Sequence, residues 1–147
     1  MSDRITSIDL GRIFNIGDYP NLIQPAKLRD VDYLVPAKEW VEDFFVWHEI
    51  VVSELHTKVW KKNNDCDDKS TGFRWLASVC NGQRDEYKPA EGVAIGEVSY
   101  EVDTGGWHAI NVAIIGKSHE VKFIEPQVPC WVELSDAEKA SIRFVMF

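Results

Sequence analysis

The chain has 147 residues and a formal net charge of −8, with 16 Lys and Arg against 24 Asp and Glu, and 45% of it is apolar. That excludes a disordered polymer, suits one core better than two, and disfavours nucleic acid or an anionic membrane, which need a basic footprint. Three cysteines make no disulfide framework, and no leader pattern or apolar run of roughly 20 residues stands in the chain, so a single reduced, cytoplasmic domain over 1–147 is expected.

Residues 1–34 carry scattered Gly and Pro and no long periodicity, which predicts extended segments wrapping a core formed later. From Ala37 to about Trp60 the pattern is a long amphipathic helix. Pro36 suits its start, and Trp40, Phe44, Trp47, Val51, Leu55 and Val59 recur at steps of three and four. A polar break at Lys61-Lys62-Asn63-Asn64 precedes a second helix from about Cys66 to Cys80, with Asp65 as its N-cap and Asp67 and Asp68 in its first turn. The helical part thus spans 35–82.

After Gly82 the period changes. Residues 92–103, 107–115 and 120–125 alternate at period two and are rich in β-branched side chains. Gly116-Lys117 reads as a two-residue hairpin turn. Ser135-Asp136-Ala137-Glu138 is a capping-box pattern, and 142–147 would close the sheet over 92–147. Helices followed by an antiparallel sheet make an α+β fold.

Cys66 at a helix start faces unpaired N–H groups and the positive end of the dipole, which favours a thiolate, although three neighbouring carboxylates oppose it. Cys80 and Cys130 read as small core hydrophobes. His48 and His56 are too far apart in sequence for a metal pair, and His119 sits at a polar hairpin tip. His108 opens an apolar strand, where an imidazole must find a partner. A two-residue turn at Gly116-Lys117 sets Glu125 opposite His108. A register shifted by two sets Gln127 there instead.

Asp65-Cys66-Asp67-Asp68, then Trp107-His108-Ala109-Ile110-Asn111, then Ile124-Glu125-Pro126-Gln127 resemble the motifs of papain-like cysteine peptidases, nearest the compact papain-like domain of a mushroom agglutinin and small phage and bacterial proteins. Transglutaminase-like proteins share a similar start to the nucleophile helix. The resemblance implies a papain-like fold in which Cys66 is nucleophile, His108 base and acid, and Glu125 orienting group, with Gln127 a second candidate for that last role. It implies a thiol-dependent hydrolase acting on a peptide or protein substrate. A transglutaminase-like acyl transferase and a catalytically weak binding or inhibitor protein are the alternatives. The family's oxyanion Gln is replaced by Trp60, for which the Trp60 indole, Asn63 or Asn64 is the substitute donor. No cofactor is required by the sequence. Calcium is the cation the resemblance implies, and Asp65, Asp67 and Asp68 could supply oxygen ligands, against a plain reading as helix-capping acids.

Overall fold

The computed structural model describes residues 3–15, 19–22, 26–55, 61–62, 64–82 and 92–147. In chain order they form β1 (Asp3–Thr6), α1 (Ser7–Asn15), β2 (Asp32–Val35), α2 (Lys38–Glu54) and α3 (Cys66–Gly82). Then come β3 (Gly92–Val93), β4 (Ile95–Glu101), β5 (Trp107–Ile115), β6 (Glu120–Glu125), β7 (Cys130–Val132), α4 (Asp136–Ser141) and β8 (Phe144–Met146). The α+β expectation is met: an antiparallel sheet of order β7-β6-β5-β4-β8 carries α2 and α3, and a small sheet of order β1-β2-β3 stands beside it.

Period-two alternation explains the two cores. Along β5, Ala113 and Ile115 point with Ile124 of β6 toward α2 and α3, where Val41, Phe44, Phe73 and Ala77 are buried. Ile110, Val112 and Ile114 point the other way and pack with Val98, Phe123, Val145 and the apolar face of the N-terminal segment. The Phe44 and Phe73 rings meet edge to face with centroids 4.9 Å apart, which locks α2 to α3. On the far edge, Trp131 Nε1 donates to Glu42 Oε1 at 3.0 Å and ties β7 to α2.

Ala94 joins the two sheets. Its N–H donates to the Leu34 carbonyl of β2, and its carbonyl accepts from the Ile114 N–H of β5.

The N-terminal segment is not the purely extended wrap expected. Residues 7–15 form a helix because Leu10 and Phe14, one turn apart, are both buried in the second core with Ile13 beside them. The expected long helix has its C-cap at Leu55, which is exposed, and residues 56–60 lie outside the described residues. Ser135 caps α4 in a full capping box with Glu138, as the pattern predicts. Among the described residues, no helix is long and apolar enough to cross a membrane.

Candidate functional site

A cavity of about 210 Å³ opens between α2, α3 and the turn after β6. Its walls are apolar, with Val52, Leu55, Phe73, Leu76 and Pro126, and its rim carries Asn64, Asp68, Lys69, Trp75 and Gln127. Trp75 is 63% exposed and meets solvent at that rim. Such an opening follows from local sequence. Gly72 lines it and supplies no side chain, so the α3 surface facing α2 is hollow there.

His48 also lines the cavity and is only 3% exposed. Its ring lies 4.7 Å from that of Phe73, and its Nδ1 has no hydrogen-bond partner. Burial pushes its pKa down to about 4, with the Lys69 charge adding to the shift, so the ring is neutral at physiological pH.

A second polar group sits under α3. Glu97, 6% exposed, accepts hydrogen bonds from Ser70 Oγ at 3.1 Å and Thr71 Oγ1 at 2.8 Å, and faces Arg74 Nε at 3.3 Å. Asn111 donates from Nδ2 to the carbonyls of Ser70 and Gly96, each at 2.9 Å. These contacts fix the first turns of α3 on the sheet, and with them the position of Cys66 and Asp68.

The structure unites only part of the expected triad. His108 Nε2 lies 2.8 Å from Glu125 Oε2, and Glu125 Oε1 accepts from the Gln127 backbone N–H at 2.9 Å. The register is the shifted one: Ile115 pairs with Glu120, so the turn has four residues, 116–119, with Gly116 and His119 at φ of 63° and 54°. Glu125 therefore reaches His108 along a diagonal, not from directly opposite. Tyr100 packs edge-on against His108 at 5.9 Å, and its hydroxyl pKa is pushed up to about 12, first by burial and then by the charges of Glu138, Glu125 and Asp103.

Cys66 opens α3 and is half-buried, and among the described residues no hydrogen bond joins it to His108. Alternation gives the reason: Asn111 of β5 faces α3, so His108, three residues earlier, points to the opposite side, where Tyr100 lies. Cys80 is half-buried against the helix core, whereas Cys130 is exposed on the edge strand β7 and is no core thiol. Trp60 and Asn63 lie outside the described residues, and Asn64 stands on the cleft rim.

Asp65, Asp67 and Asp68 present oxygens within 4.8 Å of one another. The hydrogen bond between Asp65 and Asp67 raises the first carboxyl and lowers the second, the behaviour of acids crowded onto one proton. Three close carboxylates are the donor type a hard cation such as calcium takes.

The sequence reading weighed His48 only as a metal ligand and passed over Glu97. Both carry a recognisable signal: each is a lone ionisable residue within an apolar stretch that must be buried, so each needs a partner or a purpose.

No family model matches the chain, and no curated protein matches it. Solved structures that share its fold include two that match nearly all of this chain. One is titled "PSL1a-E64 complex", with TM-score 0.74 and 21% identity over 98% of this chain and 51% of that one. The other is a Polyporus squamosus lectin bound to the human-type influenza-binding epitope Neu5Acα2-6Galβ1-4GlcNAc, with TM-score 0.74 and 21% identity over 98% of this chain and 49% of the lectin. The chain thus spans about half the length of these neighbours. They correct the identification drawn from the motifs: the shared fold is that of a lectin structure, and the assignment as a papain-like cysteine peptidase, a thiol hydrolase with a catalytic triad, is withdrawn with its peptide substrate and its transglutaminase-like alternative.

Proposed function

We propose that this chain is a ligand-binding domain and that its ligand is a glycan, held at the rim of the cleft between α2 and α3. The observation that carries this reading is the grouping of Trp75, exposed and planar, with Asn64, Asp68 and Gln127 around one opening. A sugar ring offers an apolar C–H face to an aromatic side chain and hydroxyls to amide and carboxylate groups, and these four residues supply both. The lectin of similar fold, recorded with a sialylated trisaccharide, supports the ligand class. Because that lectin is about twice as long, the test uses this chain itself.

Titrating the protein with Neu5Acα2-6Galβ1-4GlcNAc while following tryptophan fluorescence should give a saturable change. The Trp75→Ala variant should bind roughly tenfold more weakly, a loss of about 1.4 kcal/mol. No saturable change with this trisaccharide or with its asialo form would overturn the proposal.

A second ligand is favoured by a separate observation. The His108–Glu125 pair at 2.8 Å and the helix-start thiol of Cys66 are polar groups that a glycan at the rim does not use. A neighbour of the same fold is recorded in complex with E64. We propose Cys66 as the group that holds this compound, through its half-buried thiol at the start of α3. Intact mass after incubation with E64 should rise by one equivalent in the native chain and stay unchanged in Cys66→Ser. A rise that persists in Cys66→Ser would move the site elsewhere.

A further inference from the structure

One wall of the cleft is held from behind. Pro126 and Gln127 line it, and both belong to the turn 126–129 that joins β6 to β7. Pro126 has no N–H, so that of Gln127 is the first in the turn that can be tied down. It donates at 2.9 Å to a side chain, Glu125 Oε1. Glu125 is itself fixed on two sides. Its backbone closes β6 and precedes a proline, and both hold it in the extended region. Its other oxygen, Oε2, lies 2.8 Å from His108 Nε2. Behind His108 stands Tyr100, 6% exposed, its ring edge-on with centroids 5.9 Å apart. A carboxylate with a partner on each oxygen keeps one rotamer, whereas a glutamate with a single partner samples several. Tyr100, His108, Glu125 and the Gln127 amide thus form a strut that runs from the core to the cleft wall.

We infer that Glu125 is a positioning residue for the glycan rim: its carboxylate holds the turn in the form that sets Gln127 at the opening, and it does so without touching the sugar. The inference rests on the glycan reading of that rim. A Gln127 left loose would have to be ordered as the sugar binds, and the rotamer freedom lost at that moment weakens binding.

Affinity for Neu5Acα2-6Galβ1-4GlcNAc, followed by tryptophan fluorescence, tests this in the native chain and its variants. Glu125→Ala should bind roughly fivefold more weakly, the scale of one ordinary hydrogen bond. Glu125→Gln should recover most of that loss, because its amide oxygen still accepts from the Gln127 N–H and its NH2 donates to a neutral His108. Gln127→Ala should lose a similar amount. Adding Glu125→Ala to it should weaken binding no further, since the side chain being positioned is gone.

Hydrogen exchange at the Gln127 amide supplies a readout that needs no sugar. It should be slow in the native chain and in Glu125→Gln, and fast in Glu125→Ala. His108→Ala frees the far end of the strut and should shift exchange and affinity in the same direction as Glu125→Ala, and it decides the matter should that variant not fold. Native affinity in Glu125→Ala, or losses that add in the double variant, would overturn the inference and leave the glycan reading standing. So would unaltered exchange at Gln127 in Glu125→Ala. No saturable binding by the native chain would instead remove the glycan reading, and the positioning role with it.

Discussion

Glu97 and His48 are both buried ionisable residues, and their burial bears on stability for opposite reasons. Glu97 is buried as a charge with a countercharge, and Arg74, whose side chain is only 14% exposed, depends on it. Removing one member of such a pair strands the other, which typically costs about 3–5 kcal/mol, while an isosteric amide keeps the hydrogen bonds from Ser70 and Thr71. Urea unfolding of Glu97→Ala should therefore show a loss of this order, and Glu97→Gln a distinctly smaller one. His48 is buried uncharged. Its pKa in the folded protein, about 4, lies below the unfolded value of about 6.5. Between these two values the unfolded chain holds the extra proton, so stability is complete above pH 6.5 and declines as pH falls toward 4, by up to about 3 kcal/mol. The difference in unfolding midpoint between pH 7 and pH 4.5 should shrink in His48→Phe. An unchanged difference would show that other groups set the acid sensitivity.

At the scale of elements, the sheet was the most legible part of the sequence. The limits of β5 and β6 follow from alternation, because one-sided burial imposes period two and turn residues bound it. The turn between them was misjudged by two residues. Gly116 signals a positive φ, but nothing in the letters announces that His119 adopts one as well and lengthens the loop. The displacement kept the same faces inward, which is why Glu125 still meets His108. Helix α1 was missed because a short run with one buried pair, Leu10 and Phe14, carries little periodicity of its own and is held by contacts with the sheet. The cleft was illegible for a similar reason: it is a space between α2 and α3, and letters record side chains, not gaps. Two local features of the strands and caps are open to direct test. A methyl at Gly96 would stand 2.4 Å from the Met146 carbonyl oxygen, so Gly96→Ala should weaken the β4–β8 pairing and lower the melting temperature by several degrees. Ser135→Ala removes the hydroxyl that accepts from the Glu138 N–H and should cost about 1 kcal/mol by chemical denaturation.

For the whole molecule, two cores on opposite faces of one sheet divide the labour. The face toward the N-terminal segment and α4 is closed by large side chains, with Phe14 and Phe147 rings 5.6 Å apart. The face toward α2 and α3 leaves a hollow beside His48, and Val46 and Ile50 of α2 and Trp75 of α3 are exposed. The proposed glycan rim lies on the helical side. There, a motif that resembles a peptidase nucleophile helix is part of a fold shared with a lectin structure. The letters around Cys66 were read correctly as a helix start, and the joint roles of Cys66, His108 and Glu125 as nucleophile, base and orienting group came from the resemblance.

The double role of Ala94 bears on how this molecule opens. Its amide hydrogen belongs to the small sheet and its carbonyl to the large one, so a displacement of this one residue disturbs both sheets. Native-state hydrogen exchange should then find the amides of Ala94 and Ile114 released in a single cooperative event, with the same opening free energy and the same response to denaturant. Distinct opening energies would mean that the two sheets breathe independently, and that their joint is a contact rather than a weld.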